Sequence, residues 1–390
     1  LEQTVERDVE TQVADAVEDR IESEIIEQIE SGLEIDEGRI RKGQWLVMAE
    51  PEVFEQLAEE GYLFDAVTDL PGMGLRLAEV AAPSSFDISD VRKGVVDVVG
   101  SDRAEVDLNH YYMAGTPEPH QDSNDGVPPR AAMAYPEDMT DLSLRIGMID
   151  SKVDTSHPAL SGDRIHSQSF VPEGAEMPDF HGTAIASIIV ADSPDYRGLA
   201  PNAEVYAAAV FEQDDERGEI ASTVSLVRAL DWLITSGVDV VNVSLAGPPN
   251  RLLEAALKRA KQQDVIILAA AGNGGPVAKP MYPAAYDTVV AVTAVDVEGQ
   301  VFRLANRGSY LDLSAPGVGL MHALAGGGYA ASSGTSFAVP FAATAAARLK
   351  YLRPEDNVLE LLIRSATDLG PPGRDEIYGY GLLNLAAARG

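Results

Sequence analysis

A carboxylate, an imidazole and a hydroxyl stand in three short stretches, each at the edge of an apolar, regular segment. Asp150 closes the run Ile146-Gly147-Met148-Ile149, His181 leads His181-Gly182-Thr183, and Ser336 lies in Gly334-Thr335-Ser336-Phe337-Ala338. A hydroxyl becomes a usable nucleophile when a base takes its proton and an acid residue orients that base. These three residue types fill those roles, and the chemistry they offer is acyl transfer.

Between the histidine and the serine lies Ala270-Ala271-Gly272-Asn273-Gly274. With these four motifs in this order, the chain resembles the subtilisin-like serine proteases from about Leu144 to Ala387. The resemblance implies that Ser336 attacks a peptide carbonyl, His181 shuttles the proton and Asp150 orients His181. It also implies that Asn273 stabilises the oxyanion. It implies further that Ser244, Leu245, Ala246 and Gly247 form a strand that pairs with substrate and lines the first specificity pocket. Ala271 and Gly272 belong to the opposite wall, Met281 sets the pocket depth, and Glu219 opens a second pairing strand that runs to Ala221. Members of the family usually follow the aspartate with Thr-Gly, whereas Ser151 and Lys152 stand here. A lysine would be strained if that position needed a positive φ. Asp154 is the rival carboxylate, but it belongs to a loop. His157, before Pro158, matches a structural His-Pro turn, and His110, His120, His166 and His322 lack a catalytic setting.

Other chemistries find less support. There is no Gly-x-Ser-x-Gly elbow, no complete dinucleotide glycine pattern, and no His-Glu-x-x-His motif. The reaction therefore calls for no cofactor. The resemblance implies structural calcium, although no segment names its ligands.

Regular elements must position these groups. From Leu144 onward, short β-rich runs (Ile146–Ile149, Glu204–Ala209, Val238–Ser244, Val265–Ala270, Val289–Val292) alternate with helical spacing. The helices are expected at His181–Ala191, Ile220–Thr235, Leu252–Gln263 and Thr335–Leu352. That alternation predicts an α/β fold with a parallel sheet covered by helices on both faces, over residues 141–390. Its strand ends would gather the functional groups. Residues 39–115 read as βαββαβ, a ferredoxin-like unit. The resemblance makes this unit a propeptide, an intramolecular chaperone and inhibitor. Aligning His110 with the family's propeptide histidine puts Tyr112 in the fourth subsite and the scissile bond near Gly115–Thr116. Residues 116–140, with Pro117, Pro119, Pro128, Pro129 and Pro136, read as a linker.

Residues 1–38 carry fourteen acidic and two basic residues, a net of −12. Apolar residues from Val5 to Leu33 recur every fourth position there, so on a helix the stripe drifts by about 40° per step. An oligomerisation arm and a solvated helix packed on its own protein fit this amphipathic helix equally well. Over the whole chain, 62 acidic against 29 basic residues give a charge of −33. That balance argues against nucleic acid or an anionic membrane as partner. Solubility explains it more simply than a specific basic partner. The acidic stretch Asp214, Asp215, Glu216 and Glu219 suits either attraction of basic residues upstream of the cleaved bond or plain solvation. The absence of cysteine excludes disulfides and thiol catalysis. No run approaches the ~20 apolar residues of a membrane helix. The chain starts at Leu1 rather than Met, so an upstream piece is expected. These features together predict a secreted or cell-envelope serine endopeptidase in precursor form, acting on protein or peptide substrates. The alternative is a proteolytically silent binding protein of the same fold, kept covered by its N-terminal domain.

Overall fold

The computed structural model describes residues 40–81, 88–114, 118–119, 126–136, 141–160 and 162–386. The acidic segment 1–38 lies outside the described residues. Two compact units divide the chain, Leu1–Lys42 and Gly43–Gly390. Apart from the first three residues of β1, every described element lies in the second.

The alternating pattern before residue 115 folds as its period requires. β1 (Ile40–Ala49), α1 (Pro51–Glu59), β2 (Phe64–Leu70), β3 (Leu75–Val80), α2 (Ile88–Val99) and β4 (Ala104–Ala114) form a sheet in the order β2-β3-β1-β4. This is the expected ferredoxin-like arrangement. Pro51 opens α1, where its missing N–H is no loss.

The stretch read as a linker is attached to the rest of the fold at several of its described residues, among them Arg130, whose Nε donates to Gly198 O at 2.8 Å. β5 (Glu118–Pro119) pairs with a later strand, and Val127 bridges Leu320.

Beyond residue 141 the strands are β6 (Arg145–Asp150), β7 (Ile165–Ser169), β8 (Glu204–Ala209), β9 (Phe211–Asp214), β10 (Gly218–Ser222), β11 (Val240–Val243) and β12 (Leu245–Ala246). They continue with β13 (Ile266–Ala270), β14 (Val290–Val295), β15 (Leu313–Pro316), β16 (Leu320–Ala323) and β17 (Tyr329–Ser333). The helices are α3 (Phe180–Val190), α4 (Thr223–Thr235), α5 (Arg251–Gln262), α6 (Thr335–Leu352) and α7 (Val358–Ser365). Seven strands make a parallel sheet in the order β15-β14-β13-β11-β6-β8-β7.

Side chains alternate across this sheet, as a period of two demands. Ile146, Met148, Val240, Leu268, Val290 and Val292 face a core shared with α3 and α6. Ile149, Val241, Val243, Ile267, Ala269 and Ala291 face a second core shared with α4 and α5. Both faces are therefore covered, and the chain reverses its direction of winding beside β6, whose last residue is Asp150.

One expectation needs correction. Ile220 and Ala221 do not begin a helix; they lie in β10, which starts at Gly218 with φ +78°. The helix begins at Thr223, because Ser222 Oγ caps it by accepting from Ser225 N–H.

β4 joins the two parts. It pairs antiparallel with β10 (Ile220↔Met113, Ala221↔Tyr112) and with β12 (Leu245↔Ala114, Ala246↔Met113). Its side chains also cap helices: Asp107 Oδ2 accepts from Arg251 N–H at 2.9 Å, and Asn109 Oδ1 from Val224 N–H at 3.4 Å. Free N–H groups in a helix's first turn need such acceptors. Asn250 Nδ2 donates to Leu108 O at 2.9 Å and to His110 Nδ1 at 2.8 Å. At the other end of the unit, Met73 N–H donates to Asp231 Oδ1 at 2.9 Å. Burial pushes that carboxyl up to about 6, against the pull of the Met73 and Gly72 N–H groups.

α6 fixes the position of everything at its start. Its residues from Thr335 to Leu349 are all buried, and Phe341 is fully enclosed. Phe341→Ala should lower stability by about 3–5 kcal/mol through the cavity it leaves. Urea unfolding should show this as a lower midpoint at unchanged slope.

Candidate active site

The carboxyl end of β6, the start of α3 and the start of α6 meet. β6 delivers Asp150, 0% exposed; α3 delivers His181, 2% exposed; α6 delivers Ser336, 1% exposed. His181 Nδ1 lies 2.8 Å from Asp150 Oδ1 and 3.0 Å from Oδ2, and its Nε2 lies 2.9 Å from Ser336 Oγ. A carboxylate only accepts, so Nδ1 carries the proton toward Asp150 and Nε2 is left as the acceptor for the serine hydroxyl. Burial alone would push the imidazole down. Asp150's charge and hydrogen bond outweigh it and hold His181 above the ordinary 6.5.

The surrounding sequence explains the approach. A Cβ on Gly182 would stand 2.2 Å from Ser151 O, so only glycine lets α3 start this close to the β6 end. Ser151 Oγ accepts from Gly182 N–H at 2.7 Å, and Ser151 N–H donates to Asp150 Oδ1 at 2.7 Å. Lys152 carries none of the feared strain: among the described residues only Ala66 and Asp264 are non-glycine residues with positive φ. The rival Asp154 is occupied elsewhere. Its Oδ1 accepts from Ser156 and its Oδ2 from Gly326 N–H.

Asn273 stands beside this group. Its Oδ1 accepts from Thr335 N–H at 3.0 Å and from Thr335 Oγ1 at 2.8 Å, which leaves the amide nitrogen facing away from that anchor. A Cβ on Gly334 would stand 3.1 Å from Asn273 Nδ2 and 3.6 Å from Ser336 Oγ. The amide and the hydroxyl therefore border one small space at the positive end of α6, a setting suited to developing negative charge.

Sequence reading missed two supports. Thr335 orients Asn273, and Asn306 Oδ1 accepts from Gly274 N–H at 2.7 Å. Thr335 lay inside a quoted motif but carried no catalytic signature. Asn306 had no local signal at all.

Of the expected substrate-facing residues, Leu245 and Ala246 pair with β4, and a Cβ on Gly247 would stand 2.4 Å from Tyr112 Cδ1. Ser244 and Ala271 are buried, Gly272 has φ +107°, and Met281 is half-buried just before the cis Tyr282–Pro283 bond. Glu219 is half-buried on β10. The rest of the acidic stretch is partly occupied, since Asp214 and Glu216 pair with Arg217. His157 is structural, with Nε2 2.9 Å from Gly328 O. His322 is buried and depressed to about 4 by that burial; its Nδ1–H donates to Ala323 O and its Nε2 accepts from Ser332. Among the described residues no group of three or more His, Cys, Asp or Glu could hold a metal ion. No described helix is long and apolar enough to cross a membrane.

Comparison with known proteins agrees with this geometry. A family model described as the subtilase family matches residues 143–381. The Minor extracellular protease Epr of Bacillus subtilis (strain 168) is 34% identical over 266 residues, which cover 67% of this chain but 40% of Epr. Subtilisin E of the same organism is 34% identical over 271 residues, covering 66% of this chain and 69% of its own length. Among solved structures, fervidolysin from Fervidobacterium pennivorans, a keratinolytic enzyme related to subtilisin, aligns with a TM-score of 0.73 at 20% identity. That alignment covers 90% of this chain and 62% of fervidolysin, so the likeness of fold reaches beyond the residues that the family model matches.

The balance of burial against Asp150 yields a direct test. On a Ser336→Ala background, NMR titration should find the His181 ring above 6.5. Adding Asp150→Asn leaves burial opposed only by the lesser pull of Glu219 and should bring it below 6.5. A titration indifferent to Asp150→Asn would contradict this account of the pair.

Proposed function

The chain belongs to the subtilase family, and from that membership we propose that it is a serine endopeptidase acting through Asp150, His181 and Ser336. The observation that carries the assignment is the continuous line from Asp150 through both ring nitrogens of His181 to Ser336 Oγ. Ser336 Oγ attacks the peptide carbonyl while His181 Nε2 takes its proton, and the imidazolium formed is stabilised by Asp150. Asn273 Nδ2 donates to the oxyanion of the tetrahedral intermediate. His181 then gives the proton to the leaving amine. Water completes the cycle by the same route in reverse, freeing the acid product and Ser336. All of these groups come from the chain itself.

We further propose that residues 39–115 are a propeptide and that the strand ending at Ala114 occupies the cleft as a substrate's upstream side would. Its antiparallel pairing with β10 and β12 supports this, because a peptide bound between two strands is read through its backbone. Tyr112, fully buried against Gly247, takes the fourth position upstream, and the scissile bond is Gly115–Thr116. Ser244 to Gly247 and Glu219 to Ala221 are the pairing segments for substrate. Ala271, Gly272 and Met281 belong to the first pocket. The protein is secreted, a reading supported by the extracellular relative.

Ser336→Ala should abolish peptide hydrolysis and labelling by a fluorophosphonate, since both need the activated hydroxyl. Equal labelling of that variant would move the nucleophile elsewhere. Asn273→Ala should keep labelling measurable and slow turnover by roughly 10²–10³.

Purified wild-type protein should be cut between Met113 and Pro117, as read by N-terminal sequencing, and Ser336→Ala should remain whole. A wild type that hydrolyses peptides yet stays uncut would overturn the maturation scheme. An uncut, inert wild type would favour a silent binding protein.

A further inference from the structure

Glu219 is not used by the proposed mechanism. It lies on β10 one residue before Ile220, which pairs with Met113, so continuing that antiparallel register sets Glu219 across from Ala114. Directly opposed residues in an antiparallel pair project to the same face, so Glu219 shares a face with the Ala114 side chain. On its other side Ala114 pairs with Leu245 of β12. Ala114 is the second residue upstream of the proposed scissile bond, and its side chain is only partly buried.

Apart from His181, the charges acting on that slot are negative. The Glu219 carboxyl is raised first by burial, then by the nearby Asp150 and Asp179, while His181 pulls it down. Asp179 precedes α3 as its cap residue but makes no side-chain capping hydrogen bond. Among the described residues neither the Glu219 nor the Asp179 carboxylate is in an ion pair. The nearest arginine in sequence, Arg217, is turned to Asp214 and Glu216 and lies over the Tyr111 ring at 5.5 Å. The acidic stretch thus divides into a self-paired turn and one half-buried carboxylate on the face it shares with Ala114.

We propose that Glu219, assisted by Asp179, makes the second upstream subsite selective for a lysine or arginine side chain. This rests on the protease reading above and narrows it to a substrate class. A cationic side chain there offsets the cost of half-burying two carboxylates beside Asp150, whereas an acidic one adds to it. The chain's own alanine satisfies the backbone pairing and leaves the charged slot unfilled, as suits a segment that must leave.

Peptides copying residues 111–117, with the position of Ala114 varied, test the subsite on the processed enzyme. kcat/KM for Lys or Arg should exceed that for Ala by about tenfold, the size of one charge-assisted contact, and Glu should fall below Ala. Glu219→Gln should shrink the Lys/Ala ratio to about twofold or less, and Asp179→Asn should reduce it partially. An equal rate for Lys and Ala, or a ratio untouched by Glu219→Gln, overturns the proposal while leaving the protease reading intact. Failure to cut any peptide would instead count against the protease reading. The subsite then has a second readout that needs no catalysis. In the full Ser336→Ala chain, thermal midpoints should run Ala114→Lys above Ala114 above Ala114→Glu, and Glu219→Gln should collapse that order. A flat or reversed order overturns the proposal.

Discussion

The arrangement depends on one buried negative charge. Asp150 has no solvent exposure, and an unpaired carboxylate in such a place costs several kcal/mol. Its oxygens are satisfied by the His181 ring and by the Ser151 N–H. Satisfying them dictates much else. α3 must begin within reach of the β6 end, which requires Gly182, and α6 must bring Ser336 to the far side of the same ring. The same charge outweighs desolvation at His181 and holds its ring above the ordinary imidazole value. Fold and chemistry are thus tied at one atom group.

A second constraint acts on the N-terminal unit. β10 and β12 both have backbone groups to pair, and α4 and α5 both start with N–H groups that need acceptors. β4 answers both needs, pairing with the two strands and presenting Asp107 and Asn109 to the two helices. The surface that would hold a substrate backbone is the surface that holds this strand. On the proposed reading, covering the site and recognising a peptide are one interaction seen with two occupants. The family relationship makes the protease reading natural, and under the proposed maturation scheme β4 is the strand that closes the same cleft.

Much of this was legible in the sequence because the governing signals are local. Apolar alternation located β6, β8 and β13, and the ends of α6 were read without error. Asp150, His181 and Ser336 stood out because each sits at one end of an apolar segment, among residues small enough for close approach. The failures have a common cause as well. Ile220 and Ala221 were assigned to a helix because their apolar character continues into α4. The break is made by the Ser222 cap and the pairing with β4, more than a hundred residues away in sequence. β9 and the β16–β17 hairpin carry weak periodicity and are held by tertiary contacts, whereas α7, amphipathic and capped by Asn357, carried a local signal that was passed over. Thr335 and Asn306 act across separations of 62 and 32 residues. Likewise, the acidic stretch looked uniform until Arg217 was seen to pair with part of it.

The central claim is that residues 111–114 are a true strand of the cleft, held by backbone pairing over Ser336. Backbone hydrogen exchange of the full Ser336→Ala chain measures this directly, since opening of the pairing exposes its amides. The amides of Tyr112 to Ala114, of Ile220 and Ala221, and of Leu245 and Ala246 should be protected together, at a level near that of the buried β6 and β11. Fast exchange in residues 111–114 beside a protected β6 would contradict the account, because it would leave the cleft open and the N-terminal unit merely adjacent.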